Sequence, residues 1–334
     1  MSSSASDWSR LRTLIFGGVR ARLVYTAVRL GIPDALRDGP LSTEEIATRT
    51  GTHPESLRHV LRSLVVDGVF EEVAPDRFAL AQVGRLLVDD AAGSRRYDAL
   101  LIGDHVERVF AHLLEAVRTG QPAAHLAFGQ PYFDWLSDNP EAATVFNSAM
   151  TLGARAALPT VLELELWTGA ERVVDVGGGN GTVLSTLLRE QPHLRGTVFD
   201  LPHAERSANA VLAAAGVADR ASFEAGSFFE RVPAGADVYL AVQVLHNWAD
   251  DEAVRILRRI REVMASQRRL LLIEVVVPTD DHSATAVADA MSYFWLGGGE
   301  RTGPEWRELL AEGGFRIDRM TPGEWVSAIE ALPA

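Results

Sequence analysis

Two groups of residues in this chain have the types and spacing to do chemistry. The first is Asp175-Val176-Gly177-Gly178-Gly179-Asn180-Gly181, set between an apolar run, Arg172 to Val176, and a helix-like run, Thr182 to Leu188. Glycines at a strand-to-helix turn let the backbone bend tightly and let a ligand reach main-chain N–H groups without Cβ interference. The next apolar run, Gly196-Thr197-Val198-Phe199, ends on Asp200, where a carboxylate can accept both hydroxyls of a ribose. Such a pair is either a nucleoside half-site or an ordinary turn of a Rossmann-type sheet. The second group is His246, Glu274 and Glu300. Glu274 lies in Leu271-Leu272-Ile273-Glu274-Val275-Val276, and an unpaired carboxylate buried in such a strand is costly. A histidine supplies the partner. Two carboxylates near one imidazole favour its protonated form and fix its tautomer, as a proton acceptor requires. The alternative is a structural histidine beside a helix start, with Gly297-Gly298-Gly299 serving only as a turn before Glu300.

Spacing bears on which nucleoside the first group would take. Counted from Gly177, the sixth position of the dinucleotide pattern G-x-G-x-x-G is Thr182, so that pattern fails while the denser G-x-G-x-G through Gly181 is satisfied. With Asp175 in front, the run has the acidic-x-G-x-G-x-G form used by S-adenosylmethionine (SAM) enzymes. There the helix N-terminus faces a methionine carboxylate rather than a pyrophosphate.

The elements that must position these groups can be read from periodicity. From Glu171 onward strand and helix patterns alternate, which predicts an α/β fold with a parallel sheet and right-handed crossovers. Strands are expected near 171–176, 195–200, 221–225, 236–242 and 268–277, with helices over Asp250 to Met264 and Pro304 to Glu312. Ligands gather at the carboxyl ends of such strands. Gly226-Ser227-Phe228-Phe229 follows the third, where Ser227 and Phe228 could hold an adenine, and Gln243-Val244-Leu245-His246-Asn247-Trp248 follows the fourth.

Upstream, apolar residues at helical spacing between about 8 and 37 (Leu11, Leu14, Ile15, Val19, Leu23, Val28) predict helices that pack on another chain or back on their own domain. Ser42-Thr43-Glu44-Glu45 and Thr52-His53-Pro54-Glu55 start two helices, and 69–73 with 77–80 reads as a hairpin, so the pattern is that of a winged helix. Between Leu41 and Asp90 nine acids face five arginines, the wrong balance for neutralising phosphates, so assembly rather than DNA binding is expected. A helical connector follows. Its Phe146 and Met150, one turn apart, are either core or the wall of a flat apolar substrate site. The expected divisions are 1–95, 96–166 and 167–334.

Composition removes several chemistries. Cysteine is absent, which excludes thiol nucleophiles, disulfides and Cys-type zinc sites. Lysine is absent too, all 32 basic residues being arginine, which excludes a Schiff-base lysine and a Walker-type lysine. A formal charge of −13 argues against nucleic-acid and anionic-membrane partners. No apolar run has membrane-spanning length and the first residues lack a signal pattern, so a cytoplasmic location is expected.

Taken with Val174-Asp175-Val176-Gly177-Gly178-Gly179, Phe199-Asp200-Leu201-Pro202, Leu245-His246-Asn247-Trp248 and Gly298-Gly299-Glu300-Arg301-Thr302, the chain resembles the SAM-dependent small-molecule O-methyltransferases. Plant caffeate-type enzymes and bacterial polyketide-tailoring relatives typify that family, and the resemblance covers nearly the whole length. It implies a Rossmann-like methyltransferase domain behind a mainly helical winged-helix dimerisation domain, and a homodimer. It implies SAM as cofactor, contacted by Asp200, Leu201, Phe228 and Trp248 besides the Asp175, Gly177 and Gly179 turn. It further implies His246 as general base flanked by Glu274 and Glu300, and an aromatic acceptor, phenolic at the reacting hydroxyl, lined by Phe146 and Met150, with Asn247, Asp289 and Ser292 also expected at the acceptor. No metal is called for. The chain departs from the family pattern at Gln243 (usually Lys or Arg), Asn247 (usually Asp), Ser227 (usually Asp) and Ser292, where a methionine is frequent three residues after Asp289. These changes remove charge near the cofactor, and they leave room for a relative that binds SAM without transferring its methyl.

Overall fold

In the computed structural model, residues 2–91, 93–279 and 285–334 are described, with side chains from residue 6 onward. The chain divides into two compact units, one ending at Arg108 and the other spanning Val109–Ala334.

The first unit opens with helices Ser2–Ile15 and Gly17–Arg29. The second of these buries Ala27 and Val28, whereas the first leaves Trp8, Leu11, Leu14 and Ile15 at least half exposed. Helix Thr43–Thr50 starts at a full capping box: Glu45 N–H donates to Ser42 Oγ, and Ser42 N–H donates to Glu45. Helix Pro54–Val66 begins with proline in its first turn and buries Leu57, Leu61 and Leu64 on one face. Strands β1 (Leu41–Ser42), β2 (Phe70–Ala74) and β3 (Arg77–Leu80) form a small antiparallel sheet in the order β1-β3-β2. The hairpin turns at Asp76, whose left-handed φ of 57° is held by bonds from Thr43 Oγ1 and Arg58 Nε.

The second unit is built on a seven-stranded sheet. Its strands are β4 (Arg172–Val176), β5 (Arg195–Asp200), β6 (Ala221–Ala225), β7 (Val238–Val242) and β8 (Arg269–Glu274), followed by β11 (Phe315–Thr321) and β12 (Ser327–Pro333). Two short strands, β9 (Val276–Val277) and β10 (Arg301–Thr302), pair separately and in parallel. The sheet order is β11-β12-β8-β7-β4-β5-β6, with β4 to β8 mutually parallel and β12 antiparallel to β8. The chain moves outward from β4 to β6, then returns to β7 on the other side of β4. That reversal opens a crevice at the carboxyl end of β4, where the glycine run lies.

Successive residues of the central strands feed opposite cores. Tyr239 and Ala241 pack with Ile256, Leu257, Ile260 and Trp306, while Val238 and Leu240 pack with Leu184, Leu187 and Leu188. Two strand expectations need correction. The apolar run 268–277 is not one strand: β7 turns away after Val242, so residues beyond Glu274 lose that neighbour, and Val276–Val277 pair with Arg301–Thr302 instead. The strand expected from 236 begins at Val238. The closing pair β11 and β12 had no counterpart in the sequence reading.

Candidate active site

The turn after β4 is a glycine cradle held by its own bonds, Gly177 N–H to Phe199 O (2.8 Å) and Gly181 N–H to Gly178 O (2.9 Å). Gly177, Gly179 and Gly181 have φ of 71°, 55° and 73°, the left-handed region that other residues enter at a cost. A Cβ on Gly177 would also stand 2.9 Å from Val244 Cγ2. Asp200, at the end of β5, accepts from Gly179 N–H (2.7 Å) and from its own neighbour Leu201 N–H (2.6 Å), one bond to each carboxylate oxygen. Each oxygen keeps a lone pair for a hydroxyl. Asp175 is buried under the turn with Oδ2 unpartnered; burial, reinforced by the nearby Asp200 charge, pushes its pKa up to about 7. Asp200 is raised too, chiefly by burial against its two backbone hydrogen bonds.

These groups face one cavity of about 230 Å3. Around it stand Asp175, Gly177, Gly179, Asp200, Leu201, Ser227, Phe228, Gln243 and Trp248, all nine of the residues expected at a cofactor. Phe146, Met150 and Asn247 line the same space from the acceptor set. Trp248 is boxed in by Phe133 (stacked, 5.4 Å), Phe228 (5.7 Å) and Phe229 (4.7 Å), so the wall beside the cradle is aromatic. Gln243 holds a φ of 54° without being glycine, which bends the chain off the end of β7 toward the cavity.

Next to the cavity, β8 delivers Glu274, fully buried. Its Oε1 accepts from Val244 N–H (3.0 Å) and Leu245 N–H (2.8 Å), and its Oε2 lies 2.9 Å from His246 Nδ1. The carboxylate that seemed costly in an apolar strand therefore has three partners. Burial opposes a charge on His246, but the Glu274 carboxylate and the Glu300 charge outweigh it, and the imidazole pKa is raised. Glu300 is pushed up to about 7, mainly by burial, with its Oε2 unpartnered. The Gly297–Gly299 run is more than a turn. Gly299 N–H donates to His246 carbonyl oxygen (2.8 Å), and a side chain on Gly298 would overlap that carbonyl.

Asp289 and Ser292, expected at the acceptor, lie on helix Ala286–Leu296 and are not among the cavity's lining residues. Asp289 Oδ1 instead accepts from Glu300 N–H (2.9 Å). Four residues escaped the sequence reading as functional. Arg301, almost fully buried, donates to Leu245 O, Trp248 O and Asp250 Oδ1 and so ties down the segment carrying His246. A cation next to Glu300 in the sequence was the available signal. Thr151 and Asn180 join across the cavity wall by a 2.8 Å bond. His203 lines the cavity with Nδ1 unpartnered and its pKa lowered by burial.

Comparison with known proteins points to a single family. A family profile described as an O-methyltransferase domain matches residues 110–316, and one described as an O-methyltransferase dimerisation domain matches residues 13–90. The phenazine O-methyltransferase PhzM of Lysobacter antibioticus is 36% identical over 327 residues, covering 97% of this chain and 96% of that protein. The aclacinomycin 10-hydroxylase RdmB of Streptomyces purpurascens is 34% identical, covering 87% of this chain and 80% of that protein. The O-methyltransferase NcsB1 from neocarzinostatin biosynthesis, solved with SAM and 2-hydroxy-5-methyl naphthoic acid, superposes with a TM-score of 0.85 at 32% identity, covering 94% of this chain and 96% of that one. A glycine cradle with Asp175 buried beneath it and Asp200 at its edge, an aromatic wall and matches over nearly the whole length lead to one conclusion: this chain belongs to the O-methyltransferase family and is a SAM-dependent methyltransferase.

Proposed function

We propose that this enzyme methylates a phenolic hydroxyl of an aromatic secondary metabolite, with His246 as general base. The observation that carries the reading is the Glu274–His246 pair, a fully buried carboxylate 2.9 Å from Nδ1 beside an apolar-walled cavity. The residues present fit the cofactor. Asp200 has a free lone pair on each oxygen for the ribose, and Gly177 lets the turn pack against Val244 where a Cβ would collide. Asp175, its Oδ2 unpartnered, lines the same cavity, and a cationic ligand there would favour its ionised form. Leu201, Ser227, Phe228, Gln243 and Trp248 would enclose the nucleoside.

Bound SAM supplies a methyl group on an already activated sulfonium. The protein's work is then to align and to accept a proton. With Nδ1 held by Glu274, the lone pair of Nε2 is available to take the hydroxyl proton as the oxygen becomes nucleophilic. Glu274 and Glu300 stabilise the imidazolium so formed. Phe146 and Met150, with Asn247 and the helix bearing Asp289 and Ser292, would hold the ring plane, and the stretch 96–166 supplies this wall as a connector. Such positioning is worth up to roughly 7–11 kcal/mol in ideal cases, and the base about 10²–10⁴-fold. Replacing His246 with Ala should lower turnover of a hydroxylated naphthoate or phenazine by about 10²-fold or more. Unchanged turnover with intact SAM binding would remove the base from the mechanism.

A second reading has a specific observation behind it. RdmB, a 10-hydroxylase by name, is 34% identical. Asn247, Gln243 and Ser227 depart from the family pattern around the same cavity. On that reading SAM is bound but not consumed; S-adenosylhomocysteine released in step with product eliminates it.

The dimerisation match and the exposed apolar face of the first helix support a homodimer through the N-terminal unit. The acidic balance of the winged-helix module argues against a nucleic-acid partner. Among the described residues no helix is long and apolar enough to cross a membrane.

A further inference from the structure

Helix Pro140–Leu162 turns one face to the cavity, with Phe146, Asn147, Met150, Thr151 and Ala154 along it. Thr151 Oγ1 donates to Asn147 O (2.9 Å), back along the helix, and accepts from Asn180 Nδ2 (2.8 Å). Having spent its proton on the helix, the hydroxyl can only accept from the amide. The other end of Asn180 is fixed as well: Oδ1 accepts from Thr182 N–H (3.2 Å) and Thr182 Oγ1 (2.8 Å). Both sides of the amide are therefore assigned by their partners, and Asn180 cannot rotate without losing bonds at both ends. Asn180 itself stands between Gly179 and Gly181, inside the cradle. Two residues past Thr151, a Cβ on Gly153 would lie 2.9 Å from Gln243 Oε1, so the bare helix backbone there receives the side chain that ends β7. The helix thus meets the cradle at Thr151, next to Met150, and the residue after β7 at Gly153, about one turn past Met150.

We propose that Thr151 and Asn180 are positioning residues that transmit occupancy of the donor cradle to the helix face lining the acceptor site. The acceptor side of this statement rests on the reading of Phe146 and Met150 given above; the link between cradle and helix does not. When a ligand settles in the cavity against the Gly177–Gly181 turn, Asn180 is held in place. Through Thr151 the helix is held with it, setting the acceptor wall at a fixed distance from the reacting methyl carbon.

The test needs only S-adenosylhomocysteine and the full-length chain, so it does not depend on finding the acceptor. Amide hydrogen exchange of 148–158 is measured with and without this ligand in wild type, Thr151→Val and Thr151→Ser, with amides of β8 as internal reference. In wild type the ligand is expected to slow exchange in the helix by about tenfold beyond the change in β8. Thr151→Val, isosteric but unable to accept the amide proton, should lose most of that added protection while calorimetric affinity stays within about threefold. Thr151→Ser restores the hydroxyl and should recover the protection. Full protection in Thr151→Val, or none in wild type, overturns the proposal. So does an affinity loss of about tenfold or more in Thr151→Val, which would make the pair a direct ligand of the cofactor. Failure of His246→Ala to slow methyl transfer would leave these exchange results untouched, so the two readings fail separately.

Discussion

At the level of single residues, an ionised Glu274 has no proton to give, so the Nδ1 it faces at 2.9 Å must be the protonated nitrogen of His246. That choice leaves Nε2 basic. Glu274→Gln reverses it. The amide oxygen can still accept from Val244 and Leu245, but its NH2 then faces Nδ1, which must become the acceptor and move the ring proton to Nε2. Turnover is expected to fall by about 10²-fold or more with little change in cofactor affinity, measured by steady-state kinetics and calorimetry. The pH profile follows from the same cluster. A base works deprotonated, and the His246 pKa is raised, so its rate should climb with pH through the neutral range and level off above it. Glu300, pushed up to about 7, titrates in the same window, and the observed limb belongs to the pair. Removing its charge with Glu300→Gln should move the acidic limb of kcat/KM to lower pH; a limb that stays put or moves up would detach Glu300 from the base. That Glu274 needs a partner was legible from a carboxylate in an apolar strand, while the roles of His246 and Glu300 were read from the family resemblance. Arg301 was not, because it bonds the carbonyls of Leu245 and Trp248 and the Asp250 carboxylate, 51 to 56 residues away in the chain, and its place beside Glu300 does not reveal those partners.

Among elements, the glycine turn was the most readable, since only backbone conformation and close approach explain glycine in that density. Gly177→Ala should be doubly unfavourable: a left-handed φ of 71° costs about 1–2 kcal/mol, and the new Cβ meets Val244 Cγ2 at 2.9 Å. We expect a lower Tm and at least a tenfold loss of SAM affinity, checked by thermal unfolding and calorimetry. The run 268–277 was less readable. Its hydrophobic pattern continues past Glu274, but a strand lasts only as long as its neighbour, and β7 ends at Val242. Strands β11 and β12 were missed for a related reason. They pair antiparallel at one side of the sheet: β11, at the edge, is mostly exposed or half-buried, and β12, though buried, has its short apolar run broken by Glu330.

For the whole molecule, the N-terminal helices test the assembly. Leu14 is 71% exposed in one protomer. On a free surface Leu14→Asp would be close to neutral, within about 0.5 kcal/mol, but at a homodimer interface it buries an unpaired charge. Light scattering should then show the mass of wild type near that of a dimer and the mass of the variant near that of a monomer. A variant that keeps the dimer mass would place the interface elsewhere. The sequence alone determined the α/β class, the alternation of strands and helices from β4 to β8, the glycine turn and the need of Glu274 for a partner, because periodicity, glycine density and a carboxylate in an apolar strand are local signals. The tertiary structure decided which of these groups meet. It brought Glu274 onto Nδ1 of His246, put Asp289 on the Glu300 backbone, and joined Thr151 to Asn180. Those pairings depend on where β7 and β8 end and how helix Pro140–Leu162 crosses the cradle, distances fixed by packing between segments far apart in the chain.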